Sequence, residues 1–343
     1  MIKVYLIKED KEKYSHIPFL YPNLGYINKE SLLFMNEASK AIEQVFDIKE
    51  TPAEADFLLL PYNYFYFKKN NDYINKAISL SKKYNKKILV FDLSDFDYDI
   101  NIPNSIILRT SQYKYKKKEN EFIIPPLVED LGANKDLVFR SKSDSLVVGF
   151  TGWADFLNLK QRIKHEVKNL IWDIKSLWNS HSKVHKQGIY FRRQAIKILK
   201  KSDLIKTDFI LRKSYSSHSD TIELDPKKAR EEYIQNILDS DFVLCPKGDG
   251  NYSARFYEVL SLGRIPVLID TETILPNEEK IAYGDFILRI DYKDIYKMDR
   301  IIYSFYSNIN EESFIEMQRK AREAFKKHLD INFLIKEIVK NYN

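Results

Sequence analysis

The sequence has little cysteine and glycine and no long apolar run. A single cysteine, Cys245, excludes an internal disulfide framework and favours a reducing compartment. Glycine is scarce at 9 residues, whereas Tyr and Phe number 23 and 21, which indicates a packed globular protein rather than a disordered one. No stretch approaches the roughly 18 apolar residues that span a bilayer. Because residues 1–14 carry too many charges for a signal peptide, we expect a cytoplasmic protein.

The excess of positive charge is small. The 55 basic and 49 acidic residues leave a formal charge of +6, which does not point to nucleic acid as a partner. The densest basic cluster consists of Lys114, Lys116, Lys117 and Lys118. It is either a solvated loop or a patch for peripheral contact with a membrane surface. The sequence fixes no oligomeric state.

Short apolar runs alternate with helical patterns along most of the chain. Several runs are continuously apolar, as in strands buried on both faces of a parallel sheet. The predicted strands are residues 2–7, 57–61, 88–93, 106–109, 146–150, 209–212, 242–246, 265–269 and 286–290. The predicted helices include residues 31–46, 73–84, 161–178, 193–202 and 227–239. This alternation predicts an α/β fold.

A polar segment with turn residues, 130–144, separates two such α/β units. We therefore predict one domain over residues 1–140, a second over 141–310, and C-terminal helices over 311–343 that pack back on the first domain. The last segment has an apolar face at helical spacing, formed by Phe314, Met317, Ala321 and Phe325.

The segment 240–270 reads as a compact strand, helix and strand. Pro246 ends the first strand, and Gly248 and Gly250 give a loop that can approach a ligand closely. Ser253 is a good N-cap for a following helix, and Gly263 suits the position after its end. The helix N-terminus then faces the carboxyl edge of the sheet, where open α/β sheets bind ligands.

Arg255 is placed unfavourably for helix stability alone. A cation in the first turn opposes the helix dipole, whereas a bound diphosphate would explain it, because Arg forks onto phosphate oxygens. Glu258 lies three residues further on, projects from a similar face, and could accept hydrogen bonds from ribose hydroxyls. The two side chains could form a clamp for a nucleoside diphosphate, or merely a surface ion pair.

This segment resembles the C-terminal signature of the exostosin family of glycosyltransferases, with further similarity at Leu275-Pro276 and weaker similarity near residues 55–62, 150–153 and 191–193. The matching positions are Cys245, Pro246, Gly248, Ser253, Arg255, Glu258, Gly263, Pro266 and Val267.

The resemblance implies a GT-B fold, in which two Rossmann-like domains face each other and a C-terminal helix crosses back onto the first. It also implies an inverting transferase that needs no metal and no cofactor. The donor would be a nucleotide sugar, preferably UDP-linked, held by the second domain, and the acceptor would be a glycan or polysaccharide on the side of the first. The candidate donor-binding residues are Gly248, Gly250, Asn251, Ser253, Arg255, Glu258, Arg193 and Arg212.

An inverting transfer also needs a base for the acceptor hydroxyl. Asp92 and Asp95 follow a predicted strand of the first domain, and Asp155 follows the first strand of the second. Each is a candidate base, and each could instead cap a turn. Asp95 and Asp97 also match a DxD metal motif, so a metal-dependent glycosyltransferase is one alternative. The other is a protein of the same fold that binds nucleotides or glycans without turnover.

Overall fold

Two parallel β-sheets flanked by helices make up the computed structural model, which describes residues 1–9, 14–25, 38–133, 135–156, 158–214 and 224–342. The first sheet has the order β2-β1-β3-β4-β5-β6, and every pairing in it is parallel. Its strands are β1 Ile2–Leu6, β2 Phe46–Ile48, β3 Phe57–Asn63, β4 Ile88–Asp92, β5 Ser105–Arg109 and β6 Glu121–Ile123.

The second sheet is also parallel throughout and has the order β11-β10-β9-β7-β8. Its strands are β7 Val147–Trp153, β8 Lys206–Arg212, β9 Phe242–Cys245, β10 Ile265–Asp270 and β11 Leu288–Asp291. The α-helices described for the chain are α1 Tyr21–Leu24, α2 Tyr64–Phe67, α3 Asn71–Tyr84, α4 Leu159–Lys175, α5 Gly188–Leu199, α6 Pro226–Leu238, α7 Ala254–Ser261, α8 Met298–Asn308, α9 Glu311–His328 and α10 Ile331–Lys340.

Strand burial explains why the apolar runs are continuous. In β4, Leu89 and Phe91 pack into the core on one face of the first sheet, whereas Ile88 and Val90 pack into the core on the other. Both faces are covered, so neither alternate set of side chains needs to be polar. The second sheet is covered on both faces in the same way. The predicted α/β class is therefore confirmed.

The nine predicted strands all overlap observed ones. The two that were missed, β2 and β6, are three residues long and lie at the edges of the first sheet. Four predicted helices match α3, α4, α5 and α6 within a few residues, although α5 begins at Gly188, before the predicted start at 193. The first part of the predicted helix 31–46, residues 31–37, lies outside the described residues. Of the remainder, only residues 38–40 are helical, whereas residues 42–45 form no regular element and Phe46 begins β2, so the prediction is wrong there.

Helix α10 crosses from the second sheet to the first. Leu334, Ile335 and Val339 are fully buried in the core of the first sheet, and the Asn332 carboxamide accepts a hydrogen bond from the Glu43 N–H at 3.1 Å. Helix α9 packs against the second sheet instead, through residues that include Phe314 and Phe325. The crossing expected for a GT-B fold is confirmed, and the domain limits at 140 and 310 remain predictions.

None of the helices in the described ranges is both long and apolar enough to cross a bilayer.

Candidate functional site

The carboxyl ends of the two sheets meet directly. Tyr113, just after β5, forms an antiparallel bridge with Thr273, just after β10. The Lys114 N–H donates to the Glu272 carbonyl at 3.0 Å. The loops that follow the strands of both sheets therefore line one cleft, at the edge where open α/β sheets bind ligands.

Asn251 joins the two sides of this cleft. Its N–H donates to Ser111 Oγ at 2.9 Å, and its side-chain amide donates to the Gln112 carbonyl at 3.1 Å. Its Oδ1 accepts from Thr271 Oγ1 at 2.6 Å. A residue predicted to bind the donor is thus a buried link between the loops of both sheets.

The glycine loop fits closely between its neighbours. A Cβ at Gly250 would lie 3.0 Å from the Asp95 Cα, and one at Gly188 would lie 2.2 Å from the Gly248 carbonyl oxygen. Backbones approach each other here at distances that only glycine permits. The loop is therefore pressed between the first domain and the start of α5.

Helix α7 forms where the sequence predicts it. It begins after Ser253, whose backbone is extended as in an N-cap but whose side chain makes no capping hydrogen bond. Gly263 follows the helix with φ +61°, the left-handed conformation expected after a helix end. The first turn of α7 thus points to the carboxyl edge of the second sheet.

Arg255 lies under that edge. Its guanidinium donates to the Thr151 carbonyl and, at 3.5 Å, to the Leu244 carbonyl. It also stacks over the Phe150 ring, with its central carbon 4.2 Å from the ring centroid. Its Nε is buried with no hydrogen-bond partner among the described atoms. The side chain is therefore fixed near the ends of β7 and β9.

Glu258 is held by helix α6. It accepts a hydrogen bond from Arg230 at 2.8 Å and one from the Tyr233 hydroxyl at 2.6 Å, and it is buried. Burial and the neighbouring Glu258 carboxylate raise the pKa of Tyr233, which keeps its hydroxyl protonated as a donor. The structure thus brings Arg255 and Glu258 to one region, each with partners of its own.

Two further predicted arginines extend this region. Arg193 pairs with Asp155 at 2.8 Å, and Arg212 pairs with Glu232 at 2.8 Å. Arg192, which was not among the predicted donor-binding residues, donates to the Trp153 carbonyl at 2.5 Å. Arg255, Arg230 and these three form an arginine cluster around the carboxyl ends of β7, β8 and β9. Arg193, Arg212 and Arg230 are paired with carboxylates, whereas the hydrogen bonds of Arg255 go to carbonyls, so Arg255 is the member best suited to an anionic ligand.

Asp92 is enclosed beneath the edge of the first sheet. It pairs with Arg109 at 3.1 Å, and both side chains are fully buried. It also accepts a hydrogen bond from Ser94 Oγ at 2.6 Å. Burial raises its pKa, although Ser94 and Arg109 act in the opposite direction. The carboxylate supports the loop above it and does not reach the cleft.

Asp95 lies in the cleft itself. It is exposed on one side, and on the other it accepts hydrogen bonds from the Tyr252 hydroxyl and the Gly250 N–H. Desolvation and the nearby Asp249 carboxylate raise its pKa against the effect of those hydrogen bonds. A carboxylate with a raised pKa is a better proton acceptor at neutral pH.

Asp155 occupies the exposed rim near α5. It accepts hydrogen bonds from the Phe156 N–H at 2.9 Å and from Arg193 at 2.8 Å. The Phe156 hydrogen bond is the main reason that its pKa is lowered. This acid is therefore a weaker base than Asp95.

The alternating acids after β4, Asp95, Asp97 and Asp99, each contact a different partner. Asp97 pairs with Lys116 at 2.6 Å and Asp99 with Lys118 at 3.7 Å, while Asp95 contacts the glycine loop. Across the part of the chain that the structure describes, no three His, Cys, Asp or Glu side chains lie close enough to share a metal ion.

In the predicted basic cluster at 114–118, most of the lysines form ion pairs, including Lys114 with Asp270.

Lys247 is the least expected residue of the cleft. It follows Pro246 at the edge of the second sheet and is buried, with its Nζ donating to the Tyr113 hydroxyl at 3.1 Å and the Val184 carbonyl at 2.5 Å. Burial lowers its pKa to about 7. Its place directly after a predicted strand was the signal that could have found it. Nothing local marks Arg230, which depends on the packing of α6.

The comparisons with known proteins concern mainly the second sheet. Residues 177–305 match the sequence model of the Exostosin GT47 domain. Within the chain, 87 residues are 33% identical to a probable beta-1,4-xylosyltransferase, IRX10L, of Arabidopsis thaliana, covering 25% of this chain and 20% of that protein. Another 87-residue alignment is 31% identical to the probable glucuronosyltransferase 47 A of Physcomitrium patens, covering 25% and 18%. The alignments thus span about a fifth of each curated relative.

Solved structures resemble the whole chain more distantly. Anabaena HepE, in a complex with UDP-glucose, is 10% identical with a TM-score of 0.42, and the alignment covers 100% of this chain and 99% of that one. The apo lipopolysaccharide outer core galactosyltransferase WaaB is 12% identical with a TM-score of 0.45, covering 99% and 100%. The segment that carries Lys247, Arg255 and Glu258 lies within the match to the Exostosin GT47 domain, and the resemblance to exostosins is confirmed for residues 177–305.

Proposed function

We propose that the protein is a glycosyltransferase that moves a sugar from a nucleotide sugar to a glycan acceptor. The observation that carries the proposal is the arginine cluster around Arg255, at the sheet edge of the segment that matches the Exostosin GT47 domain. Asp95, a carboxylate with a raised pKa, contacts the glycine loop of the same segment. Positive charge for a leaving diphosphate and a base for an acceptor hydroxyl are what such a transfer requires.

In this proposal the arginine cluster binds the donor diphosphate, and Glu258 binds the ribose. Arg255 would exchange a backbone carbonyl for a phosphate oxygen, since charge-assisted hydrogen bonds are the stronger ones. Glu258, positioned by Arg230 and Tyr233, keeps lone pairs for ribose hydroxyls. The glycine loop at 248–250 would lie beside the bound nucleotide.

Asp95 is our choice of base among the three candidate acids. Asp92 is sealed in a buried ion pair, and Asp155 has a lowered pKa. Asp95 would take the proton of the acceptor hydroxyl while the hydroxyl oxygen attacks the anomeric carbon and the nucleoside diphosphate leaves. That direct displacement inverts the anomeric configuration, and arginines replace a metal in stabilising the leaving group.

Thermal unfolding in the presence of nucleotide sugars tests the donor half. A ligand that binds only the folded state raises the melting temperature. We expect a shift with at least one UDP-linked sugar, with the glucuronosyl and xylosyl donors included because relatives are named for those groups. The shift should disappear in Arg255→Ala and persist in Arg319→Ala, which alters an exposed arginine of α9.

Transfer assays test the rest. Turnover of the donor that binds, insensitive to chelator and giving a product of inverted configuration, is the expected result. Turnover that stops with chelator would replace the metal-independent mechanism with a metal-dependent one. Donor binding with no transfer to any glycan in a broad acceptor panel would favour a binding protein over an enzyme.

A further inference from the structure

Helix α4 carries its apolar side chains on the face turned away from the protein. The face in contact with the protein is polar or aromatic, with Asn169 buried and His165 and Trp172 half-buried. On the outer face lie eight large apolar side chains, each between 47% and 80% exposed: Leu159, Ile163, Val167, Leu170, Ile171, Ile174, Leu177 and Trp178.

These eight residues, which we call the α4 stripe, follow helical periodicity. They recur at spacings of one, three and four residues, so they form one continuous band along the helix and the turn after it. At 1.5 Å per residue, the helical part alone is about 25 Å long. Continuous exposed apolar surface of this size marks a site for a partner or a membrane.

The charges beside the stripe indicate which of these it is. Lys160, Lys164, Lys168 and Lys175 are exposed and, at spacings of four and seven residues, follow one border of the stripe. Helix α4 contains five basic and two acidic residues, a net charge of +3. One of the two acids, Asp173, is already paired with Lys186 at 2.7 Å.

We propose that α4 docks the protein on the surface of an anionic phospholipid bilayer. Apolar side chains with an adjoining row of lysines are what a helix needs to lie in the lipid interface, with the stripe among the acyl chains and the lysines at the phosphates. A second copy of the chain would bring the same lysines to the interface, with few acids to meet them. The site differs from the basic cluster at 114–118, in which Lys114 and Lys116 pair with Asp270 and Asp97.

The orientation has a consequence for the proposed glycosyltransferase. The start of α5, which follows α4 through residues 176–187, contacts the glycine loop at Gly188. Docking α4 on a bilayer would therefore hold the cleft close to that surface. The proposal stands without the proposed function, because it rests on the outer face of α4 alone.

Flotation with phosphatidylcholine vesicles, with and without phosphatidylglycerol, tests the proposal. The wild-type protein should float with the anionic vesicles, less at high salt, and little with the neutral ones. The triple variant Ile163→Ser, Leu170→Ser, Ile174→Ser should lower the vesicle partition coefficient by about 100-fold, because three apolar side chains no longer enter the interface. Lys164→Glu with Lys168→Glu should remove the preference for anionic vesicles.

The matched control is Val138→Ser, Tyr296→Ser, Tyr303→Ser, which removes exposed apolar side chains elsewhere and should leave flotation unchanged. Melting temperature and donor-induced stabilisation, measured without vesicles, should be the same in all variants. Three results would overturn the proposal. They are wild-type protein that binds neither vesicle, flotation that survives the α4 substitutions, and wild-type oligomers that dissociate in the α4 variant without any vesicle binding.

Discussion

Lys247 is an ammonium group buried in the wall of the cleft. It donates hydrogen bonds to one hydroxyl and one carbonyl and forms no ion pair among the described residues. Charging it therefore costs free energy in the folded state, which is why its pKa is lowered from 10.5 to about 7. The unfolded chain keeps this proton up to a higher pH than the folded protein does. The effect on the free energy of unfolding therefore changes only within a limited range of pH.

We predict that Lys247→Met changes how stability depends on pH. Between about pH 7 and 10.5 the unfolded wild-type chain binds more protons than the folded one, so wild-type stability rises with pH relative to the variant, at up to about 1.4 kcal/mol per pH unit. Below pH 7 the difference in the free energy of unfolding between the wild type and the variant is constant. Urea unfolding of both proteins at a series of pH values measures it. A difference that stays flat up to pH 10 would contradict the lowered pKa.

Substitution of two neighbouring acids, Asp95 and Asp92, should have different effects, the first on turnover and the second on stability. Asp95→Asn should lower turnover by about 100-fold or more, with donor-induced stabilisation intact, because the proton acceptor is lost but the donor site is not. Asp92→Ala should instead destabilise the fold by about 3 kcal/mol, since it leaves Arg109 buried beside only one carboxylate. Kinetics and urea unfolding of both variants measure this. Full turnover in Asp95→Asn would remove it as the base.

For single residues, the sequence predicted where a side chain lies in the fold better than it predicted which residues that side chain contacts. Arg255 and Glu258 do lie in one helix at the sheet edge, as their spacing indicates. Their hydrogen bonds to the Thr151 carbonyl and to Arg230 come from elements about 100 and 28 residues away. Lys247, Asp249 and Arg230 escaped notice for the same reason, because burial and charge at these positions are set by tertiary neighbours.

Among the elements, the strands were predictable because both sheet faces are buried. β4 and β5 are buried throughout and have continuous apolar runs at 88–91 and 106–108, so their signal does not depend on alternation. The edge strands β2 and β6, with three residues each, are too short to give a pattern. The outward apolar face of α4 could not be recognised from periodicity, which shows that a helix is amphipathic but not which face is covered.

The contact between α5 and the glycine loop gives a prediction about an element. Gly188→Ala should destabilise the protein by about 2 kcal/mol, because the new Cβ would meet the Gly248 and Lys247 carbonyl oxygens at 2.2 and 2.3 Å, and backbone cannot move aside easily. Gly284→Ala is the matched control, since a Cβ there meets nothing within 4 Å. Urea unfolding compares them. Equal effects at the two positions would show that α5 does not press on the loop.

At the scale of the whole molecule, α10 joins the two halves of the fold. Leu334→Ala should cost about 3 kcal/mol, because a fully buried leucine leaves a cavity in the core of the first sheet. The neighbouring Phe333 is 48% exposed, so Phe333→Ala should cost much less. Hydrogen exchange in β1 and β3 should rise in the first variant only. If β1 and β3 keep their protection in Leu334→Ala, α10 does not stabilise the first sheet.

The crossing helix also sets an order for folding during synthesis. Asn332 contacts Glu43 across 289 residues of chain, and the core around β1 takes in side chains from residues 334–339. The ribosome must therefore release nearly the entire second unit before the first sheet can bury that face. Until then the apolar surface beneath α10 stays open to solvent, where chaperones that bind nascent chains would find a target.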